Sequence, residues 1–243
     1  MRILVISDVH ANITALEAVI ADAGKVDETW CLGDVVGYGP DPNECVERIA
    51  SLPNLTCVMG NHDAAALGQM PVAAFNGDAR RALEWQMERI TPKSMDFLRS
   101  LPVEPQVRWG VTLVHGSPRD PIWEYIINTL NARMNFPAFE TQLCFVGHSH
   151  LQMGFEYVPT NDRIQLTVTQ PGDLLALERR SILNPGSVGQ PRDRNPKAAY
   201  AIFTPETMGW RAMRVEYAIE SVQERIRTGG LPEKQAARLA EGW

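Results

Sequence analysis

A chain of 243 residues is long enough for one large domain or two small ones, and 44% hydrophobic with 21% charged residues describes an ordinary soluble globular protein. The formal net charge of -6, with no basic block, argues against the phosphate-neutralising surface of a duplex DNA binder. No apolar stretch nears the ~20 residues of a membrane span, and the apolar run at the start is too short for a signal peptide.

Ile3 to Ile6 is apolar on both faces, reads as a central strand of a parallel sheet, and stops at Ser7-Asp8-Val9-His10. Asn12 suits the N-cap of a helix over Ile13 to Ala23, with Leu16, Val19 and Ile20 on one face and Gly24 ending it. Thr29 to Leu32 is a short second strand running into Gly33-Asp34. After a loop rich in Gly and Pro, a helix covers Pro42 to Ser51, with Asp41 as its expected cap. Leu55 to Met59 is a third strand, followed at once by Gly60-Asn61-His62-Asp63. Helical patterns cover Gly77 to Ile90 and Pro92 to Leu101. A fourth strand, Val111 to Val114, leads into His115-Gly116, and a fifth, Leu143 to Val146, into Gly147-His148-Ser149-His150.

Beyond residue 150 the strand-like runs are Gly154 to Val158, Ile164 to Thr169, Ser181 to Leu183, Ala199 to Phe203 and Trp210 to Val215. Their succession suggests antiparallel pairing in a second sheet packed on the first. Helices over Ala218 to Arg227 and Pro232 to Ala240 close the chain. The expected class is α/β, a single domain over residues 1–243 of two face-to-face mixed sheets flanked by helices. Residues 1–150 form its βαβ-type metal-ligand half, and 151–243 the second sheet and C-terminal helices. Cys31, Cys45, Cys57 and Cys144 show no CxxC spacing and suit buried thiols in a reducing, cytoplasmic setting.

Each of the first five strands ends on a side chain able to bind metal or exchange a proton, and all five histidines of the chain lie directly after them. A single histidine is more often a core residue; five confined to strand ends are not scattered that way. In open α/β sheets ligands bind beyond the carboxyl ends of the strands. Imidazole with carboxylate and amide oxygen suits Mn, Fe, Co, Ni or Zn better than Ca or Mg. Asp8, His10, Asp34, Asn61, His115, His148 and His150 are too many ligands for one tetrahedral ion and suit two, if one carboxylate is shared.

Asp8-Val9-His10, Gly33-Asp34, Gly60-Asn61-His62-Asp63, His115-Gly116 and Gly147-His148-Ser149-His150 resemble, in order, the blocks of the calcineurin-like metallophosphoesterases. Asn184-Pro185-Gly186-Ser187-Val188 is similar to a segment of that superfamily's small prokaryotic, phosphodiesterase-like branch. The resemblance implies a calcineurin-like α/β sandwich and two divalent transition-metal ions. One would be held by Asp8, His10, Asp34 and His150, the other by Asp34, Asn61, His115 and His148, with Asp34 bridging. It implies a hydroxide between the metals as nucleophile, and His62 as the residue that protonates the leaving oxygen or steadies the transition state. Asp63 is expected to orient the His62 ring. No ligand is missing from the pattern.

Two divalent ions against two carboxylates leave a positive pocket, which favours an anionic substrate. Arg119 and Arg192 are the expected phosphate clamps, Ser187 offers its backbone N–H, and Tyr38, Trp123 and Tyr125 are candidates to stack on a nucleobase or other leaving group. The expected activity is metal-dependent hydrolysis of a phosphodiester or phosphomonoester. A dinucleoside polyphosphate hydrolase or protein phosphatase on the same site is the enzymatic alternative. A non-catalytic scaffold on the same fold, as in a retromer subunit, is the non-enzymatic one, and it predicts missing ligands. The expected partner is a small phosphorylated molecule such as a nucleotide, with no duplex DNA or membrane; a homo-oligomer stays open.

Overall fold

Twelve strands divide between two mixed sheets of six in this computed structural model, which describes residues 1–243. In chain order the elements are β1 (Ile3–Ile6), α1 (Ile13–Ala23), β2 (Glu28–Cys31), α2 (Pro42–Ala50), β3 (Leu55–Cys57), α3 (Asn61–Ala66), α4 (Gly77–Met87), α5 (Pro92–Arg99), β4 (Gln106–Arg108) and β5 (Val111–Leu113). They continue with α6 (Thr129–Asn135), β6 (Leu143–Phe145), β7 (Gln152–Val158), β8 (Arg163–Thr167), β9 (Leu174–Ala176), β10 (Ser181–Pro185), β11 (Ala198–Thr204), β12 (Gly209–Val215), α7 (Ile219–Thr228) and α8 (Glu233–Glu241). No helix is long and apolar enough to cross a membrane.

The strand orders are β3-β2-β1-β11-β12-β9 and β4-β5-β6-β10-β7-β8. This corrects the expectation that residues after 150 build the second sheet by themselves. β1, β2 and β3 are parallel neighbours, and β11 adds antiparallel to β1; β5 and β6 belong to the other sheet, where β10 adds parallel to β6. Each sheet therefore takes strands from both halves of the chain. The reason is long-range: Ala198–Thr204 is apolar enough to be buried on both faces and occupies a central position.

Alternate residues of β1 explain why it is apolar throughout. Ile3 and Val5 meet Trp30, Leu113, Leu143, Phe145, Phe203 and Trp210 between the sheets, while Leu4 and Ile6 meet Leu16 and Val19 of α1 on the outer side. Phe145 lies 5.2 Å from Phe203 and 4.6 Å from Trp210, ring centre to ring centre. Each such side chain contributes about 1.5–3 kcal/mol on burial, so the inter-sheet layer is the fold's main source of stability.

Local signals largely hold. Asn12 caps α1 by accepting from the Ala15 N–H at 3.0 Å, and Gly24 ends it at φ +63. Asp41 does not cap α2; its carboxylate instead takes both arms of Arg225 from α7, at 3.0 and 2.9 Å. The short helices α3 and α6 and the short strands β4 and β9 have no counterpart in the expected elements. All four cysteines are buried and unpaired, as expected of small apolar fillers. Helices α7 and α8 pack Val222, Ile226 and Leu239 against Ala82 of α4, which brings α8 up beside the loops that follow β1 and β10.

Candidate metal centre

The strand ends turn sharply where the candidate ligands stand. Asp8, His10, Asp34, His148 and His150 all have left-handed backbones, with φ of +54, +48, +55, +63 and +60. Such a conformation costs a non-glycine residue about 1–3 kcal/mol, and it clusters at functional sites because it re-aims side chains. Here it folds the ends of β1, β2 and β6 inward. Backbone bonds then lock the loops together: Asp8 N–H donates to Gly33 O at 3.0 Å, His10 N–H to Asp34 O at 3.0 Å, and Gly189 N–H to Asp8 O at 3.0 Å. Gly33 is required twice over, by its φ of +88 and because a Cβ there would stand 2.7 Å from Gly60 N.

Four histidines are fixed by a backbone carbonyl on one ring nitrogen. His10 Nδ1 lies 3.0 Å from Val36 O, His115 Nδ1 2.7 Å from Leu32 O, His150 Nδ1 2.5 Å from Gln190 O, and His148 Nε2 3.2 Å from Trp123 O. A carbonyl only accepts, so each of these nitrogens carries the proton and the opposite nitrogen presents a lone pair. This is the outer support that metal-binding histidines characteristically have.

Those lone pairs face one another. His10 Nε2 is 3.0 Å from His150 Nε2, and Asp8 Oδ1, which has no hydrogen-bond partner, is 3.2 Å from His150 Nε2 and 3.7 Å from His10 Nε2. His115 Nε2 is 3.1 Å from Asn61 Oδ1 and 3.5 Å from Asp34 Oδ2. The same Asp34 Oδ2 is 3.6 Å from His10 Nε2, so one carboxylate stands between two groups of donors. One group is Asp8, His10 and His150; another is Asp34, His115 and His148. Protons do not resolve the repulsion, because burial above all pushes all five histidines below their ordinary value of 6.5. Buried, converging, unprotonated donors of this kind fit divalent transition-metal cations.

Asp34 itself is pushed well above the usual carboxylate range by burial, then by Asp63 and Asp8. A cation beside it would reverse that shift.

The remaining candidates separate. His62 lines the cleft, its Nδ1 is buried without a partner, and its backbone N–H donates to Asp34 Oδ1 at 2.9 Å. Asp63 does not orient the His62 ring, contrary to expectation. As the third residue of α3 it accepts from the backbone N–H groups of Asp34 (2.8 Å), Gly60 (3.0 Å) and Val36 (3.1 Å), stapling the loop after β2 to the loop after β3. Its carboxyl is raised to about 6 by burial, against the pull of those N–H groups.

Arg192 lines the cleft and donates to Tyr38 Oη and Gln190 Oε1, both at 3.1 Å; its Nε has no partner. Tyr38 lines the cleft beside it. Arg119 does not reach the cleft: the loop after β5 turns on Gly116 N–H to Pro121 O at 2.7 Å, and Arg119 is exposed, 3.5 Å from Glu124. Ser187 is also displaced from the substrate side. It is fully buried, donates to Asp8 O at 2.8 Å and accepts from Gln190 N–H at 2.8 Å.

Sequence reasoning missed three supports. Asn184 donates to Gly147 O at 2.7 Å and Ser149 Oγ at 3.0 Å, holding the histidine-bearing loop after β6. Gln190 holds His150 by its carbonyl and Arg192 by its side chain, and Gln235 of α8 accepts from Gln190 Nε2 at 3.0 Å. A glutamine inside the apolar stripe of a terminal helix was the only local signal for the last of these.

Residues 1–208 match the calcineurin-like phosphoesterase superfamily domain, and the chain belongs to that superfamily. It is similar to a metallophosphoesterase of Sphaerobacter thermophilus of known crystal structure, at 46% identity and a TM-score of 0.92, covering 100% of this chain and 99% of that one. A Methanocaldococcus jannaschii protein is 38% identical over 247 residues, 99% of this chain and 98% of its own. A crystal structure from Pyrococcus horikoshii OT3, at 22% identity and a TM-score of 0.79 over 100% of this chain and 98% of that one, shares the fold.

Proposed function

We propose that the chain hydrolyses phosphoric esters with two divalent transition-metal ions, one held by Asp8, His10, Asp34 and His150 and the other by Asp34, Asn61, His115 and His148. The observation that carries this reading is the set of imidazoles, each pinned by a carbonyl on one nitrogen, whose lone pairs converge on Asp8 and Asp34. Bound ions supply Lewis-acid charge and make a water acidic enough to attack at neutral pH.

The chain's own residues do the rest. Arg192, which lines the cleft, binds a non-bridging phosphoryl oxygen through its guanidinium. His62, neutral in the free protein, gains affinity for a proton when an anion enters beside it and delivers that proton to the departing ester oxygen. Arg192 is the one arginine or lysine lining the cleft. A single guanidinium suits the lower charge of a diester better than a monoester or polyphosphate, and this favours a phosphodiesterase over the alternatives. The four buried, unpaired cysteines support a reducing, cytoplasmic setting.

The test is metal analysis of purified protein alongside turnover of bis(4-nitrophenyl) phosphate and 4-nitrophenyl phosphate with added Mn. Two bound ions per chain and a faster diester reaction are expected, with Asp34→Asn lowering both metal content and rate at least a hundredfold in rate. Undiminished hydrolysis by chelated protein would refute the reading.

A further inference from the structure

The cleft has two unlike sides. Its floor is polar, with Asp34, Asn61, His62 and His148, and Arg192 stands at one wall. Phe75, Trp123 and Tyr125, from two separate loops, line the same cleft. Phe75 and Trp123 are half-buried with ring centres 5.2 Å apart, and Tyr125 remains 42% exposed. Phe75 also packs on the main core, but Trp123 and Tyr125 belong to none of the buried apolar clusters and lie beside a polar floor.

The loop bearing two of these rings is anchored at the centre itself. The Trp123 carbonyl takes His148 Nε2 at 3.2 Å, and the Tyr125 ring stacks on His148 at 3.9 Å with an interplanar angle of 11°. Phe75 packs edge-on to His62 at 4.8 Å. The aromatic rings are thereby held in fixed relation to two site histidines, and they line a cleft of about 170 Å³. A ligand filling it needs an anionic group at the floor and a flat apolar group at the wall.

From this we infer that the natural substrate is a phosphodiester in which one esterified group carries a planar aromatic ring, as a nucleoside or an aryl ester does, seated against Phe75, Trp123 and Tyr125. The inference rests on the phosphoesterase reading above and adds the substrate class. A flat ring stacked on such a wall gains about 1–3 kcal/mol, which converts to roughly five- to 150-fold in affinity.

Three methyl phosphodiesters, whose hydrolysis is followed by phosphorus NMR, separate the possibilities: thymidine 5′-(methyl phosphate), benzyl methyl phosphate and ethyl methyl phosphate. With Mn-loaded protein, kcat/KM for the two aromatic esters should exceed that for the ethyl ester by roughly tenfold or more. Trp123→Ala, which leaves the carbonyl to His148 in place, should collapse that ratio towards one, and Trp123→Phe should restore most of it. A thymidine ester ahead of the benzyl ester points to a nucleoside; parity between them points to any flat ring. An ethyl ester as good as the others in the unaltered protein, or a ratio unmoved by Trp123→Ala, overturns the inference. If neither these nor bis(4-nitrophenyl) phosphate is hydrolysed, it is the phosphoesterase reading that fails. Calorimetric titration with the same esters then tests the aromatic wall by itself: tighter binding of the flat ones upholds it and equal binding overturns it.

Discussion

A carboxylate next to a histidine in sequence invites a catalytic pairing, and Asp63 after His62 shows why adjacency misleads. Both of its oxygens are occupied by backbone N–H groups, so its contribution is to the shape of two loops. Hydrogen bonds to a charged acceptor are worth about 1.5–3 kcal/mol each, and an amide in its place would set an NH2 against a backbone N–H. Asp63→Asn should therefore lower stability by roughly 2–4 kcal/mol, read as a shifted urea midpoint. His62→Ala should leave the midpoint and the metal content nearly unchanged while slowing turnover about a hundredfold. The reverse pattern would give Asp63 the proton chemistry and His62 the structural part. At this scale the ligand candidates were legible, because strand ends crowded with every histidine of the chain are a local pattern. The Asp63 role was not, since it depends on a one-turn helix, α3, with no periodicity to announce it. Arg119 stands close to His115 in sequence, but a tight loop that only the folded chain reveals carries it outwards.

At the level of elements, the C-terminal hairpin does more than cover one face. Gln235 on α8 is almost fully buried and reaches the metal centre only through Gln190, which in turn holds His150 and Arg192. Outer supports of this sort typically alter metal affinity 10–100-fold when removed. Gln235→Ala should weaken Mn binding about tenfold in an equilibrium titration, with the fold retained. Unaltered affinity would reduce α8 to a packing element. The element boundaries that were legible belong to segments with strong periodicity, such as α1 over Ile13–Ala23. The distribution of strands between sheets was not, because β10 joining β6 and β11 joining β1 are pairings across 38 and nearly 200 positions of chain that no local window contains.

For the molecule as a whole, five buried neutral histidines set the response to acid. Their folded values lie below 6.5, so the unfolded chain takes up protons first as pH falls through that value, and stability declines from there downward. Asp34 and Asp63 act in the opposite sense, since their raised values let the folded state hold protons that the unfolded state has lost. Five groups outweigh two. The melting temperature of metal-free protein should thus fall measurably between pH 7 and pH 5.5; a flat profile would mean that the histidines are solvated in the folded state.

The left-handed backbone at Asp8, His10, Asp34, His148 and His150 carries a consequence for the protein's lifetime. A chain that holds five unfavourable turns around facing lone pairs is under tension when no cation relieves it, and any ligand bound only by the folded state shifts the folding balance towards that state. Scarcity of metal should then appear as turnover of the protein and not merely as idle copies of it. Limited proteolysis measures this directly: cleavage should accelerate on adding a chelator and slow again, in proportion to free Mn, when the ion is returned.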